Sequence, residues 1–254
     1  MQRIILPALA IILSAAPHAQ AQTNTGAKIN PQDAAEMIYI PAGEFTMGSD
    51  DDQADERPAH KVELDGYWIY KHPVTVAQYR KFCAQTGHSM PEAPWFDWNN
   101  SHPVVNITWQ DAMAYAQWAG GALPTEAQWE KAARGTSTRK YPWGNDWSAD
   151  KCNGMGRLGK TTAVGSYLSG VSPYGAHDMA GNVWEWCSDW YDATYYQHSP
   201  QRNPAGPQSG VFRVRRGGAW NYDGADYRCA NRNCLDPGYA AYFDPNMGFR
   251  VAQK

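Results

Sequence analysis

Short runs of alternating apolar and polar residues characterise the N-terminal part of the chain. Met37–Ile40 and Glu44–Gly48 are separated by a Pro-Ala-Gly turn, and His60–Leu64 and Tyr67–Tyr70 follow. A period of two is typical of β-strands, because successive side chains point to opposite faces. The pattern therefore predicts four short strands in this part of the chain.

Helical patterns come next, and each one begins at a threonine. Thr75, Thr108 and Thr125 each precede a stretch with apolar residues on one helical face. A threonine side chain can accept a hydrogen bond from the first helical turn, which makes it a typical N-cap. Gln128 completes a capping box after Thr125, and Gly135 ends that helix. Three helices are predicted.

The pattern changes after residue 136, where Gly, Pro, Asn and Trp dominate and no long helix is predicted. Helices in the first half and short strands in the second, without β-α-β alternation, are typical of an α+β fold. Arg213–Arg216 is interpreted as a solvated edge strand that also pairs with internal carboxylates. No repeat, linker or charge block divides the chain, so we expect one domain over residues 37–254.

The N-terminus has the layout of a secretory signal: a charged start, an apolar run over Ile4–Ala16, and an Ala-Gln-Ala sequence ending at Ala21. The run is too short to cross a bilayer, so no membrane insertion is expected. We expect residues 1–21 to be a signal peptide cleaved after Ala21, and residues 22–36 to be a flexible leader. The mature protein would then be periplasmic or secreted.

Composition excludes several classes of protein. Apolar residues make up 43% of the chain, charged residues 19%, and the net charge is −3, which fits a globular protein without a nucleic-acid-binding face. The five cysteines include no C-x-x-C, and the histidines lack zinc-site spacing. The acidic stretch Asp50–Glu56 lacks the EF-hand pattern and is interpreted as a solvated loop.

Five collinear segments carry a family resemblance: Ile40–Gly48, Pro103–Trp109, Leu123–Glu130, Asp178–Trp186, and Arg216–Trp220 followed by Gly248–Arg250. Together they resemble the formylglycine-generating enzyme, or sulfatase-modifying factor, family over about residues 37 to 252. The resemblance implies a C-type-lectin-like fold with a small twisted antiparallel sheet, two or three helices, long irregular loops and structural calcium.

The resemblance also implies a calcium site. The family's ligands map onto two carboxylates and two backbone carbonyls: Asp178, Gly181, Val183 and Glu185. This oxygen-rich set suits a hard cation. The alternative is that Asp178 caps a turn while Glu185 forms a buried ion pair. A second family site would use Asn153 and Gly154, but the acidic ligand that follows them in the family has no counterpart in this chain.

The chain departs from the family at its copper site. Two family cysteines bind Cu(I), for which thiolates are suited. An ungapped alignment from the Gly-Gly-Ala-Trp sequence places Tyr222 and Tyr227 at those positions, so copper is not expected. Cys229 and Cys234 keep the five-residue separation. They could form a structural disulfide, with each other or with another cysteine, form a displaced redox or copper site, or remain unpaired thiols.

Aromatic and amide side chains near the C-terminus suggest a binding groove. By analogy with the family, the groove residues are Trp184, Trp220, Tyr222 and Asn246, with Trp184 as the floor. Such a surface suits a peptide or glycan. The alternative is that the tryptophans belong to the core. If the groove performs chemistry, Tyr222, Asp226 and Tyr227 are the titratable candidates.

Three functional hypotheses follow from the resemblance. The first is a periplasmic oxidative maturation or accessory factor that acts on an exported peptide or protein, for example in siderophore or metalloenzyme maturation. The second is a non-catalytic module that binds a peptide, glycan or protein. The third is genuine formylglycine synthesis. Whether the chain is an enzyme stays open at this point, and a monomer is favoured.

Overall fold

The computed structural model describes residues 26–239 and 245–254, in which short strands form three small sheets. In chain order the strands are β1 (Ala27–Ile29), β2 (Glu36–Ile40), β3 (Gly43–Met47), β4 (His60–Leu64), β5 (Tyr67–Tyr70), β6 (Trp184–Trp190), β7 (Arg213–Arg216), β8 (Asn233–Leu235), β9 (Met247–Gly248) and β10 (Ala252–Gln253). The sheet orders are β1-β2-β5-β10, β3-β4 and β8-β7-β6-β9. The four strands predicted from alternation are confirmed as β2 to β5.

Strand pairing is antiparallel except between β6 and β9, which run parallel. The third sheet is therefore mixed, and the other two are antiparallel, as predicted. β7 lies between β8 and β6. The prediction that Arg213–Arg216 is an edge strand is therefore wrong. The prediction that this strand pairs with internal carboxylates is confirmed by the ion pairs of Arg216.

The three predicted helices are α1 (Val76–Thr86), α2 (Trp109–Trp118) and α3 (Glu126–Arg134). Each begins at the predicted threonine, whose side chain accepts a backbone N–H three residues later. The side chain at that later position accepts the threonine's own N–H in return. Gly135 ends α3 with a φ of 70°, in the region that favours glycine. Together with the sheets, these helices confirm the α+β class.

The segment before β2 is packed against the domain. β1 pairs with β2, and Asn30 and Asp33 are buried. Hydroxyl groups of Tyr70 and Tyr115 donate to the Asp33 carboxylate. The prediction of a flexible leader is therefore wrong for residues 26–36, because buried polar contacts fix them. Residues 1–25, with the predicted signal peptide and cleavage site, lie outside the described residues.

Buried ion pairs join α3 to the third sheet. Arg216 of β7 pairs with both Glu126 and Glu130, and Glu130 also accepts a 2.6 Å hydrogen bond from Arg134. Arg232 forms two hydrogen bonds of 2.8 and 2.9 Å with Glu126. These five side chains are almost completely buried. We call them the α3 ion network.

The acidic stretch Asp50–Glu56 is partly internal. Glu56 is fully buried, and both of its carboxylate oxygens accept 2.7 Å hydrogen bonds from Arg228. Asp52 lies 3.0 Å from the same guanidinium. The interpretation of this stretch as a solvated loop is therefore wrong at Glu56 and Asp52. Both form ion pairs with the buried Arg228, which lies far along the chain.

The α3 ion network yields a stability prediction. Glu130→Gln removes the charge shared by Arg134 and Arg216 while keeping the side-chain size, so it should lower the free energy of unfolding by about 3–5 kcal/mol. Urea unfolding followed by tryptophan fluorescence measures this loss. The control is Glu44→Gln, whose ion pair with Lys61 is about half exposed and should contribute little. Equal losses in the two variants would show that the network does not stabilise the fold.

Candidate functional site

The third sheet presents two chemically different faces. The register places Glu185 opposite Arg216, and Arg215 opposite both Trp186 and Asn233. Because side chains alternate along a strand, Arg216 and Glu185 point towards α3. Arg215 and the β6 tryptophans point to the opposite face. The α3-facing side carries the ion network, and the other side carries the predicted groove.

The predicted groove residues come together on this second face. The Trp184 and Tyr222 rings meet edge to face, with centroids 5.3 Å apart, and the backbone N–H of Trp184 donates to the Asn246 backbone carbonyl at 2.8 Å. The Trp220 indole donates to the Pro245 carbonyl at 3.2 Å. We call Trp184, Trp220, Tyr222 and Asn246 the aromatic groove.

Much of the aromatic groove is buried. Trp184, Trp220 and Asn246 are at most 7% exposed, and Tyr222 is half-buried. The burial of Trp184 and Trp220 matches the alternative in which the tryptophans belong to the core, and Tyr222 is the partly exposed member of the four. Exposed aromatic surface comes instead from Trp95, which is 55% exposed and packs with Phe96 against Trp220.

Tyr227, at a position that the resemblance assigns to a copper-binding cysteine, is a core residue. Its ring stacks on Trp147 at 5.2 Å, and its hydroxyl accepts the Met155 N–H and lies within hydrogen-bonding distance of the Ala219 and Tyr222 carbonyls. A Cβ at Gly218 would lie 2.5 Å from this ring, so the glycine turn and the phenol are closely packed. These contacts make Tyr227 a structural residue.

The other two titratable candidates are less enclosed. Tyr222 faces Trp184, and Asp226 is half-buried. Burial, together with the nearby charge of Asp223, raises the pKa of the Asp226 carboxyl. Tyr222 and Asp226 are thus the candidates that can reach a ligand.

All five cysteines are free thiols, which matches the alternative of unpaired thiols and not that of a disulfide. Cys229 is fully buried in the core, where burial raises the pKa of its thiol to about 12. Cys234 lies on β8 opposite Val214, in a half-buried position. The two side chains therefore occupy different environments despite their five-residue separation.

The predicted calcium ligands surround a buried arginine. Glu185 accepts two hydrogen bonds from Arg250, at 2.6 and 2.7 Å, and a third at 2.8 Å from the Trp129 indole. This is the ion pair of the alternative interpretation. Asp178 accepts the Gly165 N–H at 2.7 Å, and no cation lies within ion-pairing distance of its carboxylate in the described part of the chain.

Charge is the test of whether these residues fit a calcium ion. Burial raises the pKa of Asp178 to about 6, and the Glu185 charge acts in the same direction. The carboxylates of Asp178 and Glu185 thus lie near one positive charge, that of Arg250. Of the three hydrogen bonds that Glu185 accepts, its Oε1 accepts only one. The remaining carboxylate oxygens and the carbonyls of Gly181 and Val183 are donors of the type that a hard cation binds.

The second predicted metal position does not fit a cation. Asn153 donates 2.9 Å to the Lys160 carbonyl, and its buried Oδ1 has no partner, while Gly154 packs against Tyr227. Within residues 26–239 and 245–254, neither position has three or more His, Cys, Asp or Glu side chains grouped to hold a metal, so the first position relies on two carboxylates and backbone carbonyls. A single amide and a carbonyl lack the negative charge that calcium requires.

Sequence reasoning missed two parts of the site. Trp95 and Phe96 lie in a loop whose proximity to Trp220 had no sequence signal, although adjacent aromatics in a polar stretch are unusual. Arg215 was interpreted as part of a strand and not as part of the groove, yet its guanidinium lies 4.7 Å from the Trp184 ring centroid. Strand alternation could have assigned Arg215 to the face opposite Arg216.

Three helices, small sheets and long loops around an aromatic groove define a C-type-lectin-like α+β domain. The family model for the sulfatase-modifying factor enzyme 1-like domain matches residues 23–254. The chain therefore belongs to the formylglycine-generating enzyme, or sulfatase-modifying factor, family, as its motifs predicted. In the described residues, no helix is long and apolar enough to cross a membrane.

Known proteins show how far this similarity extends. The formylglycine-generating enzyme of Streptomyces coelicolor is 34% identical, with 94% of this chain and 95% of the relative covered. The serine/threonine-protein kinase pkn1 of Chlamydia pneumoniae is 38% identical over 86% of this chain, but the chain spans only 38% of that kinase. Among solved structures, PvdO from Pseudomonas aeruginosa superposes with a TM-score of 0.81 at 27% identity, covering 91% of this chain and 98% of PvdO.

We propose that Asp178, Gly181, Val183 and Glu185 bind calcium, and a melting experiment tests this. Calcium should raise the melting temperature of the chelator-treated protein, because a ligand that binds only the folded state stabilises it. Asp178→Asn, which preserves side-chain size but removes the unpaired charge, should abolish most of the rise. Asp150→Asn, at an exposed carboxylate, is the control. A wild-type protein that does not respond to calcium would leave Glu185 with only its ion pair to Arg250.

Proposed function

We propose that this protein is an oxidative maturation or accessory factor that acts on an exported peptide or protein. We place its action in the periplasm or outside the cell, after removal of the signal peptide. It works without the thiolate copper site of formylglycine-generating enzymes. Family membership supports the reaction class, and the similarity to PvdO over 91% of this chain supports the same fold.

One observation carries this proposal: the positions of the copper-binding cysteines are occupied by tyrosines on a retained scaffold. Tyr227 is held in the core by its ring and hydroxyl contacts, so its position cannot supply a ligand. Cys229, the cysteine nearest in sequence, is enclosed in the core as a neutral thiol. Thiolates are what Cu(I) requires, so a different chemistry is expected.

The aromatic groove supports a peptide or protein ligand. Aromatic rings provide flat apolar contact surface, and the amide of Asn246 lies beside them for hydrogen bonding. Trp95, Phe96 and Trp220 extend the same surface to an exposed edge. A chain segment with a flat side group could lie along this edge and reach Tyr222, the partly exposed residue of the groove.

The same exposed edge favours a second candidate, a binding module without catalysis. Exposed tryptophans are common anchors in protein and peptide recognition. Such a module would use Trp95 and Trp220 in the same way but would leave its ligand chemically unchanged. The two candidates therefore differ in whether the ligand is altered.

Peptide binding and peptide oxidation should be measured together on the mature protein. A library of peptides from exported proteins is incubated with the protein, with and without added copper or iron. Oxygen uptake and peptide mass are recorded. We expect a peptide that binds and gains or loses mass with oxygen consumption. Binding without mass change or oxygen uptake would support the binding module instead.

Trp95 should anchor the bound peptide. Trp95→Ala should weaken binding about tenfold or more, because exposed tryptophans at recognition edges contribute strongly to affinity. Leu168→Ala provides a control, since Leu168 is also apolar and 77% exposed but lies on a short turn elsewhere in the chain. Isothermal titration gives both affinities. Equal losses in the two variants would argue against a specific role for Trp95.

Formylglycine synthesis can be tested through the two remaining C-terminal thiols. Replacing Cys229 with Ala and Cys234 with Ser should leave any oxidation of the peptide unchanged, because neither thiol lies at an aligned copper position. Melting temperature checks that the double variant is folded. Loss of activity in a folded double variant would instead support a displaced thiolate site.

A further inference from the structure

The arginines of β7 differ in whether they have acidic partners. Arg216 pairs with two glutamates on the α3-facing side. Arg215 points to the groove side and is 8% exposed. Its Nε donates to Asn233 Oδ1 at 3.0 Å and its Nη1 to Met247 Sδ at 3.7 Å. The Arg215 guanidinium has no carboxylate within ion-pairing distance in the described ranges.

The other buried arginines show that this is an exception. Each of them contacts a glutamate: Arg134, Arg216, Arg228, Arg232 and Arg250. Removing a cation from water without a counter-charge is unfavourable, so this fold elsewhere supplies one. Arg215 instead has a neutral amide and a thioether, which is a weak acceptor.

A buried hydrogen-bond donor without a partner in the described residues lies beside Arg215. The guanidinium carbon is 4.7 Å from the Trp184 ring centroid and 5.7 Å from that of Tyr222. The Trp184 indole N–H is buried and has no hydrogen-bond partner within the described residues. A third donor, Asn246 Nδ2, makes only a long 3.4 Å contact with Asn221. The floor of the aromatic groove thus combines the positive charge of Arg215 with two N–H donors, of Trp184 and Asn246, that have no strong acceptor among the described residues.

We propose that Arg215 binds a carboxylate of the ligand, with the ligand's adjoining flat group against Tyr222, whose ring packs on the fully buried Trp184. Only the location of the ligand rests on the proposed function. Two neighbouring guanidinium nitrogens match the two oxygens of a carboxylate. Replacing the Met247 sulfur as acceptor costs little binding energy, because a thioether is a weak acceptor. Asp226 lies within electrostatic range of Arg215, so a singly charged carboxylate suits the site better than a doubly charged phosphate.

The test compares ligands that differ only in this charge. N-acetyltyrosine and its uncharged amide are titrated into the mature protein, and the indole N–H resonance of Trp184 is followed by NMR. We expect the acid to shift that resonance and to bind at least tenfold more tightly than the amide. Two peptides, one with a free C-terminus and one amidated with an internal glutamate, show whether a terminal or side-chain carboxylate is preferred.

Two variants of β7 are matched. Arg215→Gln should abolish the preference for the acid without lowering the melting temperature, because it removes a buried charge that has no counter-ion among the described residues. Arg213→Gln is the control: Arg213 also stacks on two tryptophans, at 3.7 and 3.4 Å, but these are Trp109 and Trp190. It should keep the preference.

The outcomes separate the two proposals. Equal binding of acid and amide, or a preference that survives in Arg215→Gln, overturns the carboxylate site but leaves the groove in place. Failure of both the small probes and both peptides to bind overturns the groove itself, and with it the proposed function. A lower melting temperature in Arg215→Gln with unchanged ligand preference would assign Arg215 a structural role.

Discussion

The structure depends on charge compensation between α3 and the third sheet. Glu126 and Glu130 lie on consecutive turns of one helix, and Arg216 lies between them from β7. Arg232 arrives from a distant part of the chain to complete the same cluster. Because removing one buried partner leaves the other uncompensated, this interaction fixes the distance and orientation of the helix relative to the sheet. Long loops can then connect short strands without loss of the fold.

This constraint also defines the groove. A strand that directs Arg216 towards α3 must direct Arg215 to the opposite face. The same alternation in β6 places Glu185 with the ion pairs and Trp184 with the aromatics. The acidic side chains of this region therefore lie on the α3-facing side, where they form structural ion pairs. The groove side carries a cation, aromatic rings and amides. The chemical character of the groove therefore follows from the pairing of buried arginines with glutamates on the α3-facing side.

Local chemistry explains which features the sequence could predict. A threonine cap and its partner three residues later lie within one turn, so Thr75, Thr108 and Thr125 marked their helices correctly. The partners of Glu56, Asp33 and Arg228 lie tens of residues away or more, and nothing near them in the sequence identifies those partners. The packed leader and the internal part of the acidic loop were missed for that reason. The glutamates and arginines of the motifs supported the family resemblance. Which of them form ion pairs with each other could be seen only in the folded structure.

The tyrosine at position 227 shows why the change at the copper position is built into the structure. Its hydroxyl would lie 2.5 Å from a Cβ at Gly154, and its ring equally close to one at Gly218, so both backbones approach the phenol where only glycine leaves room. Tyr141 and Cys152 pack around the same ring as part of a separate cluster. A cysteine here would leave a cavity beside two glycines, and large-to-small changes in a core are destabilising. The α3 ion network does not include this position. The scaffold can therefore hold a phenol at this position without loss of the ion network, and replacing the phenol with a thiol would be unfavourable.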